Sequence, residues 1–443
     1  MKKLTNVRGT NDLFEELIVH KYYSLIFDYL TYTHGFVEIE TPILEYSDVF
    51  KKTLGSTSDI IKKETYTFKD RSNNELTLRP EGTAPVIRSF IEKRLNEPLP
   101  QKLTYSGPMF RYDRPQSGRY RQFHQLGAEI IGEKDISADL ELIYIAKKFI
   151  NLLGISDKNF EIHVNSLGDE KGRKKYAIEL KDFFQDHKKE LTRESLERLK
   201  KNPLRILDTK NEKEKKLLIK SPKLKNFLSN ESLDTFDEFK EHCKDLKIPI
   251  IANDNLVRGL DYYNNICYEF IGKLLGAQNT FLAGGRYDGL IKKMGGPDYP
   301  GCGFATGMER IALMDKKFRD KDIMIQGIPP STLLQSQEDH YAVIVIGKEN
   351  KIKALKIINI LLEDQTSNPD KYNEKRFGPL KFNLICKDNL SKGLKYANGI
   401  SAGYAIIIGE NEISKQQLTI KNLNKQSQKI IKIKDFTKYH LTK

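Results

Sequence analysis

The 443-residue sequence has no tryptophan and little cysteine. Its four cysteines, Cys243, Cys267, Cys302 and Cys386, are nowhere paired at CxxC spacing. So few in so long a chain exclude a disulfide scaffold and make a reducing, cytoplasmic location the expectation. No cluster of Cys and His has zinc spacing and HExxH is absent, so no protein-bound structural metal is expected. The P-loop pattern GxxxxGKS/T is missing as well, so any nucleotide must be held in another way. No apolar run approaches the length of a membrane span, and the opening MKKLTNVRGTND lacks the apolar core of a secretory signal. Neither membrane insertion nor secretion is expected.

Positive charge is in excess. Lys and Arg number 74 against 60 Asp and Glu, a formal net charge of +14. Such an excess favours a polyanionic partner, nucleic acid first, although lysine richness also serves solubility alone. The apolar fraction of 39% and aromatic fraction of 10% are globular values, and the length allows two or three domains with real cores.

The spacing of Tyr22, Leu25, Ile26, Tyr29 and Leu30 predicts a helix, capped at Asn11 or Asp12, running to about Thr33 and ended by Gly35. Residues 36–44, FVEIETPIL, alternate like a strand, with Pro42 marking an edge or a bulge. A hairpin over residues 65–78 delivers RPEGTA at its end, where Glu81 and Thr83 sit at a strand-to-helix junction. There Thr83 either caps the following helix, or meets a ligand, or does both. Residues 168–245, rich in Lys, Glu and Leu, read as a helical insertion with solvated faces. Residues 256–270 are strand-like around a turn that carries Arg258 and the Tyr262–Tyr263 pair, and AGGRYDGL places Arg286 and Tyr287 at another turn. GCGFATGMER runs from a glycine-rich strand into a helix whose first turns hold Arg310, and its glycines permit close approach of backbone to a ligand or a neighbour. Residues 326–340 are linker-like. Beyond them, strands alternate with helices through 341–443, which predicts a small, mostly parallel α/β domain with a polar insertion at 366–378.

The chain is organised around residues 103–132, LTYSGPMFRYDRPQSGRYRQFHQLGAEIIG, which read as strand, loop, strand. Period-2 alternation puts Arg121, Phe123, Gln125, Gly127 and Glu129 on one face of the second strand and His124, Leu126, Ala128 and Ile130 on the other. The first face suits the floor of a ligand site better than a solvated surface, and in a regular hairpin Arg111 faces the same way. Five arginines, Arg111, Arg119, Arg258, Arg286 and Arg310, recur in glycine-bearing or turn contexts. Converging on one site, they would hold a polyphosphate and stabilise its transition state. Glu81, Gln125 and Glu129 could hold an amine beside it. An amine pocket next to a phosphate pocket is what amino-acid activation by ATP requires, and alignment plus charge stabilisation then suffices for catalysis.

These segments carry a resemblance. FRYDRP with GRYRQFHQLGAE resembles motif 2 of the class II aminoacyl-tRNA synthetases, GFVEIETPILE resembles motif 1 and GFATGMER resembles motif 3. LVRGLDYY and AGGRYDGL resemble the two signatures peculiar to the histidyl-tRNA synthetase family, which TLRPEGTA and VRGTND also fit. The resemblance implies an α+β catalytic domain over 1–325, built on an antiparallel sheet flanked by helices, with motif 1 at about 35–50, motif 2 at about 103–132 and motif 3 at about 301–315. It implies that the helical insertion lies within this domain and that 341–443 form an α/β anticodon-binding domain.

The implied activity is ligation of L-histidine to tRNA(His) through a histidyl-adenylate, with ATP and Mg²⁺ as the cofactors and a homodimer as the assembly. Carried over by resemblance, Arg111 and Arg258 are catalytic, and Arg111, Arg119 and Arg310 contact ATP. Glu81, Gly82, Thr83, Arg111, Gln125, Glu129, Arg258, Tyr262 and Tyr263 bind histidine. Within that set Glu81, Thr83 and Gln125 hold the α-amino group, and Glu129 and Tyr263 each meet one imidazole nitrogen. Two opposed partners select a ring with two distinct nitrogens, because an analogue lacking one leaves a buried group unpaired. Arg114 and Gln116 would reach the acceptor end of the tRNA. RYDRP departs from the RHERP common among bacterial relatives but keeps both arginines and an acid. The alternatives are the synthetase-like regulatory subunit of ATP phosphoribosyltransferase, a tRNA-sensing pseudo-enzyme module, and a synthetase for another amino acid. The presence of Arg111, Arg258 and Arg310, the C-terminal segment and the two histidyl-type signatures argue against them.

Overall fold

A computed structural model of the protein describes residues 4–54, 61, 64–209, 211–257, 262–275, 279–315, 340–367, 380–387 and 389–442. Arg258, nearly all of the linker at 326–340 and most of the polar insertion at 366–378 lie outside the described residues. The chain divides into two compact units, one made of residues 1–20, 39–95 and 105–322 and the other of 21–38, 96–104 and 323–443.

Helix α1 (Glu15–Thr33) begins later than the cap expected at Asn11 or Asp12. Upstream of it, Val7–Thr10 already closes a turn in which the Thr10 N–H and hydroxyl both donate to the Val7 carbonyl. The buried face of α1 runs through Val19, Tyr23, Ile26, Phe27 and Leu30, rotated from the predicted stripe. Residues 36–44 do not form one strand. They give β1 (Val37–Glu38) and then β2 (Leu44–Tyr46), because Pro42 has no N–H to donate to a ladder. Helix α2 (Ser47–Leu54) follows, and then the expected hairpin of β3 (Thr67–Lys69) and β4 (Glu75–Leu78). β2, β4 and β3 form a small antiparallel sheet. Helix α3 (Thr83–Lys93) starts directly after Glu81 and Gly82.

The two long strands of the central stretch are β5 (Gln101–Phe110) and β6 (Gln122–Ile131), neighbours in the principal sheet. Between them Gly118 takes φ +67°, a left-handed conformation that glycine adopts without Cβ strain, and Gln116 bridges to Arg119. Helix α4 (Ser137–Leu152) and strand β7 (Phe160–Ser166) come next. The insertion is helical as expected, with α5 (Glu170–Asp186), α6 (Arg193–Lys201), α7 (Glu212–Lys220) and α8 (Asn230–Asp245) joined by 3-10 turns. Asp169, Thr192, Asn211 and Ser229 cap those four helices through their side chains. β8 (Ile250–Ala252), β9 (Asn264–Gly272), β10 (Thr280–Arg286), α9 (Leu290–Lys293), β11 (Gly301–Gly307) and α10 (Met308–Met314) follow. The principal sheet has the order β1-β5-β6-β11-β10-β9-β7-β8. Strands β6 through β7 in that order pair antiparallel throughout, while β1 with β5 and β8 with β7 are parallel additions. Helix α4 packs on β10 and β11. The register that matters most sets Glu129 of β6 opposite Gly303 of β11, and Gln125 opposite Gly307.

The C-terminal sheet, order β13-β12-β14-β15-β16, is mixed rather than mostly parallel. β12 (His340–Ile346) lies parallel to both β13 (Lys381–Lys387) and β14 (Tyr404–Ile408). β15 (Gln417–Asn422) and β16 (Ser427–Lys432) then return antiparallel, because the short link after Asn422 permits a hairpin and no crossover. Tyr341, Val343 and Val345 enter one core and Ala342 and Ile344 the other. Burial on both faces is why β12 reads as an unbroken apolar run.

Candidate active site

The face that alternation assigned to β6 does meet a cleft. Phe123 and Gln125 line it, together with Glu81, Thr83, Arg111, Arg119, Tyr262, Tyr263 and Arg310, around a space of about 1540 Å³. Arg111 therefore shares its side of the sheet with Gln125, as a regular hairpin requires. Its guanidinium lies over the Phe123 ring, 5.2 Å from the centroid, and its Nε donates to the Pro80 carbonyl at 2.8 Å. Burial lowers the Arg111 pKa, and the nearby carboxylates of Glu64 and Glu81 oppose that shift. Arg119 donates to Asp113 at 2.7 Å, which fixes the arginine at the loop edge. Burial, and then the charge of Arg119, brings Arg310 down to about 10. Arg310 and Arg119 are thus two cations held close together, an arrangement that an anion between them would relieve.

Glu81 and Thr83 divide their work differently from the expectation. Thr83 does not cap α3. The Glu81 carboxylate does so, accepting the N–H groups of Thr83 and Ala84 at 2.8 Å each. This leaves the Thr83 hydroxyl to donate to Glu129 Oε1 at 2.7 Å. Gly82 presents no side chain. A Cβ there would fall 2.0 Å from the Tyr105 ring, and one at Gly127 would fall 2.2 Å from it, so both glycines admit the same aromatic ring.

Glu129 is fully buried, and its second oxygen accepts the Tyr287 hydroxyl at 2.7 Å. Burial pushes its pKa up to about 8; the two hydroxyl donors oppose the rise and the charge of Glu81 adds to it. Tyr287 was placed at a turn by the sequence and given no role, yet its hydroxyl is a direct partner of the central acid. The signal for it lay in the glycines of β11. A Cβ at Gly301 would meet the Tyr287 ring at 2.3 Å, and one at Gly303 would sit 1.6 Å from Glu129 Oε2. Tyr262 packs edge-on against Tyr287, with centroids 5.9 Å apart, and against Tyr263 at 4.7 Å. The Oε1 atom of Gln125 is buried without a hydrogen-bond partner, an acceptor held ready on the cleft wall.

Arg286 is not a ligand arginine. It is 3% exposed, paired with the buried Asp139, and donates to the backbone carbonyls of Glu133 and Asp135. Locally it looked like the other four because a glycine-rich strand precedes it; its partner lies on α4. Arg114 and Gln116 are exposed on the loop and do not line the cleft. Arg193, Arg198 and Arg205 of the insertion do line it, as do Glu64 and Glu269, and the sequence did not single out any of these.

An antiparallel sheet, a buried acid on its floor and arginines at the rim place the chain among the class II aminoacyl-tRNA synthetases. A family model described as Histidyl-tRNA synthetase matches residues 26–311, and one described as Anticodon binding domain matches residues 341–443. The histidine–tRNA ligase of Rhodospirillum rubrum is 40% identical over 432 residues, 97% of this chain and 97% of that relative. That of Gluconobacter oxydans is 37% identical over 441 residues, 99% of this chain and 98% of the relative. Among solved structures, apo histidyl-tRNA synthetase of S. aureus matches with a TM-score of 0.58 at 29% identity, covering 99% of this chain and 100% of that one. The chain belongs to the histidyl-tRNA synthetase family.

Proposed function

We propose that the protein ligates L-histidine to tRNA(His) in two steps, forming histidyl-adenylate from ATP with release of pyrophosphate and then passing the histidyl group to the tRNA 3′ end. The observation that carries this reading is the single cleft that joins Glu81, Thr83, Arg111, Gln125, Tyr263 and Arg310. The amino acid's carboxylate attacks the α-phosphorus, so the chain's task is to align the two and to stabilise charge. Arg111 holds that carboxylate and the α-phosphate, and Arg258 stabilises the same phosphorus in the transition state. Arg310, with Arg119, holds the outer phosphates. Glu81, Thr83 and the free Gln125 Oε1 receive the α-ammonium, with the Gly82 backbone beside it. Glu129 and Tyr263 bracket the imidazole, and Tyr262 packs behind them.

Mg²⁺ enters as the counter-ion of ATP, and Glu64 and Glu269 offer on the cleft wall the hard oxygen donors such an ion takes. Residues 1–325 form the catalytic domain, 326–340 the linker and 341–443 the anticodon-binding domain, with Arg114 and Gln116 at the tRNA acceptor end. The working assembly is a cytoplasmic homodimer. A non-catalytic regulatory subunit is the weaker reading, since residues 341–443 match an anticodon-binding domain. The test is exchange of labelled pyrophosphate into ATP. Exchange should require both histidine and Mg²⁺; no exchange with histidine, or equal exchange with several amino acids, would sink the reading.

A further inference from the structure

Three residues distant in sequence, of which Glu309 also lines the cleft, meet where α1, β6 and α10 come together. His20 lies on α1, His124 on β6 and Glu309 in the first turn of α10. Among the described residues they are a group whose side chains each offer one metal-ligating atom, all within 4.8 Å of one another. The backbone N–H of His124 donates to both Glu309 oxygens at 2.9 and 3.1 Å, and its Nδ1 lies 3.0 Å from Oε1. The His20 ring meets the His124 ring edge-on, with centroids 4.9 Å apart and planes at 61°. His20 is only 6% exposed, and its Nδ1 is buried with no hydrogen-bond partner.

We propose that His20, His124 and Glu309 bind one divalent transition-metal ion of the zinc class. Two imidazoles and a carboxylate are a donor set that zinc takes, with a fourth position left for water. Hard ions such as Mg²⁺ and Ca²⁺ prefer oxygen alone, so this site is distinct from the counter-ion of ATP. The geometry is close to what an ion needs. Donors about 2.0–2.1 Å from a tetrahedral zinc stand roughly 3.3 Å apart. The Nδ1–Oε1 pair is already near that separation at 3.0 Å. The outer limit of 4.8 Å would close by about 1.5 Å, within the swing of an imidazole about its last torsion.

A ring nitrogen of His20 is left unpartnered within this cluster, where buried polar atoms are ordinarily satisfied, and an ion bound at that atom would satisfy it. An ion there would tie three elements at one point and fix the first turn of α10, which carries Arg310 one residue after Glu309. The proposal goes beyond the ligase reading and does not depend on it.

The test uses the full chain stripped with EDTA, titrated with Co²⁺ while its visible d–d absorption is followed, and with Zn²⁺ in competition with a chromophoric chelator. One ion should bind per chain, with a cobalt spectrum of mixed nitrogen and oxygen ligation. His20→Phe keeps the ring contact and removes the nitrogen. It should weaken binding on the order of 100-fold, since loss of even a supporting partner costs roughly 10–100-fold. Glu309→Gln keeps an acceptor for the His124 N–H and serves as the second variant if His20→Phe does not fold; it should also change the cobalt spectrum. Absence of binding at micromolar metal, or binding with the same affinity and spectrum in a folded variant, would overturn the proposal.

Discussion

Replacing Glu129 by glutamine probes the assigned chemistry most directly. The carboxyl is fully buried between the hydroxyls of Thr83 and Tyr287, and burial pushes its pKa to about 8. The imidazole of free histidine titrates near ~6.5. Between those values the empty pocket holds a neutral acid and the ligand arrives as a neutral ring, so the pair forms with one proton to share. Below about 6.5 the ligand brings a second proton that must be shed, and above about 8 the pocket must recover one. Histidine affinity should therefore be flat between these limits and fall about tenfold per pH unit beyond either. Glu129→Gln keeps the size of the side chain and an acceptor for Thr83 but removes the charge-assisted bond to the ring. Such a bond is worth about 1.5–3 kcal/mol, a rise in KM for histidine of roughly 10–150-fold. The alkaline fall in affinity should disappear with the acid.

Stability provides a second readout. The folded pKa of about 8 lies above the ordinary 4.5, so the stability this group contributes is fully present below about 4.5 and is lost as pH rises through about 8. The glutamine variant should gain on the parent in thermal midpoint as pH rises from about 5 to 9. The assay is pyrophosphate exchange with histidine varied across pH, alongside melting curves. A variant with the parental KM and an unchanged alkaline limb would remove Glu129 from ring recognition.

Arg286→Met should cost about 3–5 kcal/mol in urea unfolding, because it strands the buried Asp139 carboxylate; a loss under about 1 kcal/mol would contradict the structural role. Gly303→Ala sets a methyl 1.6 Å from Glu129 Oε2, so KM for histidine should rise while KM for ATP holds; equal changes in both would locate the damage elsewhere. Arg258→Ala should raise the activation barrier by several kcal/mol, the scale of one preorganised charge-stabilising group, and near-normal adenylate formation would take Arg258 out of the mechanism. Deleting residues 341–443 should weaken tRNA charging far more than adenylate formation, measured side by side, and equal losses would contradict the anticodon assignment.

What was legible in the sequence was local or carried by several motifs in order. The alternation along β6 has a period of two, so one correctly recognised strand put Phe123 and Gln125 on the cleft side without further information, while Glu129 on the same face is fully buried. The insertion announced itself as helical through a composition dominated by Lys, Glu and Leu, whereas the caps at Asp169, Thr192, Asn211 and Ser229 that start its helices were not singled out. Interactions between distant residues were not legible. An arginine after a glycine pair looks the same whether it faces a phosphate or a buried aspartate, so Arg286 was grouped with the ligand arginines. Tyr287 sits 158 residues from Glu129 along the chain, and only the pairing of β11 with β6 discloses that its neighbouring glycines make room for that contact. The His20–His124–Glu309 cluster escaped for the same reason. Metal motifs are recognised by short spacing, and Glu309 lies 185 residues from His124.

Two buried acids joined through Thr83, Glu81 on the cleft wall and Glu129 behind it, show how one fold sets two carboxyl groups in different environments. Both touch Thr83: Glu81 accepts its backbone N–H and Glu129 its hydroxyl. Burial raises both pKa values. Glu81, however, also accepts the N–H of Ala84 at the start of α3 and feels the charge of Arg111, and each of these favours its ionised form. Glu129 has hydroxyl donors and the repulsion of Glu81, with no cation among its influences. The start of a helix carries a partial positive charge and by itself repels an ammonium group. In its ionised form a carboxylate fixed at that point reverses the sign, so the bonds that cap α3 would also serve the proposed amine subsite there. Arg111 then serves both halves of the cleft. Its guanidinium lines the cleft, and its charge favours the ionised form of Glu81 against the effect of burial. Glu129 is left without such support, and burial holds its pKa up at about 8. Neighbouring carboxyl groups pushed apart in this way take on distinct acid–base roles.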